Sequence, residues 1–284
     1  TDTEFVLKGL QIMCGIAGFV NDMPIDVKCP VLQRMTDMIA HRGPDSEGHY
    51  IDEHAALGHR RLSIIDLGGG QQPIYNEDGS KVITFNGEIY NYQTLREELI
   101  AAGHTFTTKS DTEVLLHGYE QWGVDLLQRV RGMFTFVIWD KNKQELFGAR
   151  DHFGIKPFYY AKMNGTFMYA SEIKSLLRHP DFVKELNAEA LKPYMTFQYP
   201  AIGETFFKGV YKLPEGHYFT YRDGKMDIHR YYDEDFREGK QKLGELVNSI
   251  EQTVCESVKA HQIADGEGGS FLSSGVDSSY VAAV

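Results

Sequence analysis

The chain has 284 residues, 42% of them hydrophobic, so it can bury a sizeable core and carry one large domain or one domain plus part of another. Its 40 acidic and 29 basic side chains give a formal charge of -11 with no long run of either sign, which argues against a nucleic-acid-binding surface. Three scattered cysteines without metal-type spacing exclude a secreted disulfide framework, no stretch has the length and apolarity of a bilayer span, and residues 1–13 lack a signal peptide's basic start, so a cytoplasmic location is expected.

In chain order, the apolar run 14–20 predicts a buried strand, and Val31, Leu32, Met35, Met38 and Ile39 recur at helical spacing. Strands are predicted at 55–60, 82–86, 132–140, 145–150, 156–161 and 166–170, most of them antiparallel, from β-branched and aromatic content between turn signals. Helices are predicted at 92–102, ending at Gly103, and at 111–122, capped by Ser110 or Asp111 and ending at Gly123. These elements predict an α+β layered body. Residues 233–242 read as a linker. Beyond it, Leu243, Leu246, Val247, Ile250, Val254 and Val258 form the stripe of an amphipathic helix. A strand at 270–272 then leads into a Ser/Gly-rich turn and a further helix, the expected start of a truncated α/β nucleotide-binding domain. With its sheet neighbours missing, the strand edge at 270–272 is an expected aggregation liability.

Several ordered blocks carry chemistry: MCGIAG at 13–18, HRGPD at 41–45, RLSIID at 61–66, FNGEIYN at 85–91, SDTEV at 110–114, GMF at 132–134 and RDHFGIKP at 150–157. Together they resemble the class II glutamine amidotransferases over nearly all of residues 13–260. The resemblance implies an αββα sandwich of the N-terminal-nucleophile hydrolase type over 14–232 and Cys14 as nucleophile. A thiol with an ordinary pKa of about 8.5 needs a base, and the family uses the cysteine's own α-amine, which a peptide nitrogen cannot replace. Residues 1–13 are therefore expected to be a start-site artefact or a propeptide, with Cys14 becoming residue one. Read alone, Cys14 is equally a buried small hydrophobe.

The resemblance further implies that Arg61 grips the α-carboxylate of glutamine, that Asp111 with Glu88 receives its α-ammonium, and that the Asn86 amide and the Gly87 N–H meet the oxyanion. By their types alone, Arg61 is also compatible with a surface cation, Asp111 with a helix cap or with both roles, and Asn86-Gly87 with a hairpin turn. Residues 41–45 and 150–157 read equally as loops that shape the pocket and as segments that contact substrate, with no catalytic role assigned, and Cys29 and Cys255 as packing residues.

The motif SSGVDS at 273–278 resembles the pyrophosphate loop of ATP-dependent adenylating ligases, implying that Ser273, Ser274, Gly275, Asp277 and Ser278 bind ATP through a helix N-terminus. Ser274 stands where the family pattern has glycine, which is tolerated if its φ stays negative. With both motifs the chain is similar to the glutamine-hydrolysing asparagine synthetase family. That similarity implies glutamine, aspartate and ATP as substrates, Mg2+ as the cofactor accompanying ATP, a homodimer, and 243–284 as the start of a synthetase domain. No metal site is assigned to residues of this chain. A ligase amidating another carboxylate and a silent glutamine-sensing domain are the competing readings.

Overall fold

A computed structural model describes residues 13–199, 203–265 and 269–284. Residues 1–12 of the expected N-terminal extension lie outside the described residues.

The described residues form twelve strands in two antiparallel six-stranded sheets. The first sheet has the order β10-β8-β9-β1-β3-β2, built from Val210–Lys212, Tyr159–Met163, Thr166–Ala170, Gly15–Val20, Ala55–Arg61 and Ser46–Ile51. The second has the order β12-β11-β7-β6-β5-β4, from Lys225–Arg230, His217–Arg222, Glu145–Arg150, Gly132–Asp140, Lys81–Ile89 and Ile74–Tyr75. Helices α1 (Ile25–Asp37), α2 (Tyr92–Ala101), α3 (Asp111–Trp122), α4 (Ile173–Leu176) and α5 (Leu191–Phe197) belong to this body, while α6 (Leu243–His261) and α7 (Val276–Ala283) follow it.

Strand periodicity generates the layers, because successive side chains point to opposite faces of a sheet. In β6, Val137 and Trp139 face the layer between the sheets, where they meet Ile16, Leu57, Phe167 and Phe219. Phe134, Phe136 and Ile138 face the other way, onto Leu95 and Leu99 of α2 and Val114 and Leu115 of α3. On the far side, Ala17 and Phe19 of β1 pack against Val31, Leu32 and Met35 of α1. The result is the expected αββα sandwich. His59 adds a polar tie between the sheets: buried and driven neutral, with its pKa pushed down to about 3, it donates from Nε2 to the Phe85 carbonyl at 2.9 Å.

In its secondary structure the chain departs from the sequence expectations in two places and decides one open alternative. The expected strand at 270–272 is absent, and Phe271 and Leu272 are exposed without ladder partners. The reason is cooperative: an isolated apolar tripeptide gains no hydrogen bonds by extending, since a parallel strand exists only beside its neighbours. The edge-strand hazard expected there is correspondingly not formed by these residues. Strands β2, β4, β10, β11 and β12 were not expected, and β12 shows why: KMDIHR is largely exposed at a sheet edge, where no apolar alternation is needed. Finally, Asn86 and Gly87 lie within β5, opposite Thr135 and Phe134, so the hairpin-turn reading of this pair is excluded.

Candidate active site

Cys14 immediately precedes β1, and Arg61 closes β3, the strand paired with it. Pairing of Gly15 with Arg60 therefore brings the thiol and the guanidinium to the same end of the sheet. The Leu62 N–H donates to Cys14 Sγ at 3.3 Å, and Arg42 Nε holds the Cys14 carbonyl at 3.0 Å. A Cβ on Gly43 would come within 2.2 Å of the Arg60 carbonyl carbon, so the 41–45 turn packs directly against the end of β3. Arg61 is buried, and its NH2 donates to the carbonyls of Ile65 and Asp66 at 3.1 and 2.6 Å, which rules out the surface-cation reading.

The second sheet contributes the facing wall. Phe134 lies opposite Gly87, yet its N–H and C=O both turn away from β5, to Asp151. In an antiparallel ladder this makes Gly87 and Phe134 a non-hydrogen-bonded pair, so the Gly87 N–H points outward from the open edge of β5. Its neighbours along that edge are occupied: the Phe85 N–H by Gln72 Oε1 at 2.6 Å, the Ile89 N–H by Asp111 Oδ2 at 3.0 Å. Glycine is required at 87, because a Cβ would lie 2.1 Å from the Met133 carbonyl oxygen and 2.7 Å from the Phe134 Cα. The close approach that glycine permits here is made to β6. Beside it, the Asn86 amide is buried with neither Nδ2 nor Oδ1 hydrogen-bonded among the described residues. Such an orphaned amide is costly in a folded protein and marks a group kept for another partner.

Asp111 is the first residue of α3. Ser110 caps that helix by accepting from the Thr112 N–H, so Asp111 is released from the capping role. Burial pushes the Asp111 carboxyl up to about 7, reinforced by the nearby charge of Glu88 and opposed by the Ile89 N–H. Glu88 is itself raised by burial. Burial also raises the Cys14 thiol; the Leu62 hydrogen bond and the charges of Lys156 and Arg61 oppose this, while Asp111 adds to it.

Cys14, Arg61, Asn86, Gly87, Glu88 and Asp111 all line one cavity of about 810 Å3. Lys156, Gln72 and His261 line it too and were missed in the sequence. Lys156 came from a block read as loop scaffolding. Its loop is that scaffold: fully buried Arg150 donates to the carbonyls of Lys156, Gly154 and Leu213, and Asp151 accepts from the N–H groups of Phe153, Ile155 and Lys156. What this scaffolding holds is the Lys156 ammonium, 3.0 Å from Met13 Sδ.

Residues Ser273 to Ser278 lie apart from this cavity. Ser273 Oγ is 2.7 Å from Ser278 Oγ and accepts from the Gly275 N–H, and Gly275 caps α7. Ser274 has no positive φ, as its replacement of glycine demands. Asp277 and Ser278 line a second cavity of about 970 Å3 between α6 and α7. Cys29 is exposed, against the packing role expected of it, because it sits at the side of the buried stripe that Lys28, Val31, Leu32 and Met35 make on α1; Cys255 is half-buried. No helix among the described residues is long and apolar enough to cross a membrane.

Residues 13–232 match the family described as glutamine amidotransferase domain, and residues 249–284 match asparagine synthase. The glutamine-hydrolysing asparagine synthetase 1 of Bacillus subtilis is 44% identical over 276 residues, covering 96% of this chain and 44% of that protein. The amidase chry2 of Gibberella zeae is 35% identical, covering 95% of this chain and 42% of its own length. The chain thus spans less than half the length of either relative. Among solved structures, the glutamine phosphoribosylpyrophosphate amidotransferase of Bacillus subtilis superposes with a TM-score of 0.57 at 18% identity, over 77% of this chain and 49% of that one, a likeness of fold.

Proposed function

Because this chain belongs to the glutamine amidotransferase domain family, we propose that residues 14–232 release ammonia from glutamine and that the whole protein passes it to aspartate activated by ATP, making asparagine. The observation that carries the reading is the convergence of Cys14, Arg61, Asp111 and the orphaned Asn86 amide on one cavity.

In the mature protein Cys14 is residue one. Its α-amine, with an ordinary pKa of about 7.7 to 8.0, is partly neutral at physiological pH and takes the thiol proton. Burial holds the thiol high, so this base is needed even with Lys156 nearby. Arg61 binds the substrate α-carboxylate and Asp111, with Glu88, its α-ammonium, which selects a free amino acid over a peptide. The thiolate attacks the amide carbon, and Asn86 Nδ2 and the outward Gly87 N–H meet the negative oxygen. The C–N bond then breaks with a proton delivered to nitrogen, ammonia leaves, and water hydrolyses the thioester to glutamate.

Ser273, Ser274, Gly275, Asp277 and Ser278 are proposed to hold the pyrophosphate end of ATP. Clustered hydroxyls at the start of α7 suit an anion there. ATP with Mg2+ supplies activation of the acceptor carboxylate; no residue of this chain is assigned to the ion.

The test is the whole protein, processed to Cys14 as verified by intact mass. Cys14→Ala should abolish glutamine-dependent synthesis and retain ammonia-dependent synthesis; loss of both, or of neither, counts against the scheme. The similarity to amidase chry2 favours a second reading in which the acceptor is another carboxylic acid. Glutamine-dependent AMP release with candidate acids separates the two.

A further inference from the structure

Away from the cavity around Cys14, four side chains from three segments converge at one end of α3. Glu77 is in the turn between β4 and β5, His104 follows Gly103 at the end of α2, and His117 and Glu120 are one turn apart on α3. We propose that Glu77, His104, His117 and Glu120 form a divalent transition-metal site, with Zn2+ as the ion that the donor set suits best. None of the four lines the cavity around Cys14.

One ligand atom from each lies within 4.8 Å of all the others. His117 Nδ1 is 3.1 Å from Glu120 Oε2 and 3.3 Å from Glu77 Oε2, and His104 Nδ1 is 3.2 Å from Glu77 Oε1. Four ligands about 2.0 to 2.1 Å from a tetrahedral ion are separated by about 3.3 Å, so the spacing needs little adjustment. Two imidazoles and two carboxylates match the borderline character of Zn2+.

Those separations also fit hydrogen bonds; the far sides of the rings show which nitrogens are left to face an ion. His104 Nε2 faces Gln121 Oε1 at 3.3 Å. His117 Nε2 is buried with no hydrogen bond among the described residues and faces Glu113 Oε1 at 3.5 Å. That carboxylate is held by the N–H groups of Thr107 and Thr108, both at 2.7 Å. Against burial, which lowers it, the carboxylates of Glu113, Glu120 and Glu77 hold the His117 imidazole up at about 9, so without an ion a proton bridges its Nδ1 to Glu120; an ion in the cluster takes the place of that proton, with each Nε2 facing an oxygen and both Nδ1 atoms directed at the two carboxylates. A carboxylate behind a ligating histidine is also the usual outer partner of a metal site. The other candidate ligands are oriented in the same way: Asn76 Nδ2 donates to Glu120 Oε1 at 2.6 Å, and the Thr105 N–H to Glu77 Oε1 at 3.1 Å. Glu77 is 37% exposed, which leaves an entry path from solvent. Four protein ligands with no open position make this a structural site. It would fasten α3, which begins at Asp111, to the turn that enters β5, the strand of Asn86 and Gly87.

The test uses the full chain after chelator treatment, titrated with Zn2+ against a chromophoric competitor and with Co2+ by visible spectroscopy. One equivalent should bind, Co2+ should give the intense visible bands of a tetrahedral ion, and Tm should rise with added Zn2+. His104→Gln and Glu120→Gln should each weaken binding by about 100-fold or more and abolish the Tm response. If Glu120→Gln does not fold, His104→Gln decides, since its melting in chelator should match that of the parent. No Zn2+ or Co2+ binding by the folded parent would overturn the proposal, as would unchanged affinity in folded His104→Gln. So would a Co2+ spectrum with a sulfur charge-transfer band that disappears in Cys14→Ala, since it would put the metal on the thiol.

Discussion

Replacing Asp111 by asparagine should make the free protein more stable and, in the same stroke, unable to hold glutamine. In the fold this carboxyl keeps its proton until about pH 7, against an ordinary 3.8, chiefly because it is buried. Between those values the folded state binds more protons than the unfolded one, so the stability contribution is full below pH 4 and is lost as pH rises through 7. At about 1.4 kcal/mol per pH unit the penalty reaches ~4 kcal/mol above pH 7 and only ~1.5 kcal/mol at pH 5. Asparagine can still accept from the Ile89 N–H, so the substitution removes the charge and little else. Denaturant unfolding of parent and variant at pH 5 and pH 8 should show the stability gap widening by about 3 kcal/mol in favour of the variant. Comparing the two proteins cancels the titrating groups that do not interact with Asp111, which leaves Glu88 and Cys14 as its coupled neighbours. Glutamine should raise the parent's Tm and leave the variant's unchanged. A gap independent of pH, or a variant still stabilised by glutamine, would refute the assignment of a buried, ligand-awaiting carboxylate.

Asn86→Ala should lower glutaminase kcat by about 10²- to 10³-fold while leaving the melting temperature unchanged or higher, because its amide has no hydrogen bond to lose among the described residues; steady-state kinetics and a thermal melt check both halves. Gly87→Ala should behave oppositely in stability, losing about 1 to 3 kcal/mol in denaturant unfolding as β5 is pushed off the Met133 carbonyl. Arg61→Lys should raise the glutamine KM by about 10- to 100-fold with a smaller change in kcat, since an ammonium cannot reproduce the guanidinium fork. Lys156→Met should move the pH profile of Cys14 alkylation by iodoacetamide to higher pH, because the ammonium favours the thiolate.

Much of the site was legible in the sequence because its residues are bound to local features that recur as strings. Arg61 ends a strand, Asn86 and Gly87 share one, and Asp111 opens a helix behind Ser110. Residue type and order carried these, and period-two alternation carried the central strands that assemble the sandwich. Lys156 was not legible, since nothing local says that the loop buried around Arg150 brings an ammonium into the cavity of Cys14, close enough for its charge to act on the thiol. The outward direction of the Gly87 N–H was equally beyond the sequence, because it rests on where Phe134 directs its backbone groups. Nor could spacing reveal Glu77, His104, His117 and Glu120 as one cluster, since only α2 and α3 packing against the second sheet brings those segments together. Local chemistry belongs to the chain itself; convergence, burial and the pKa shifts that follow from burial arise only when distant segments exclude water from one another.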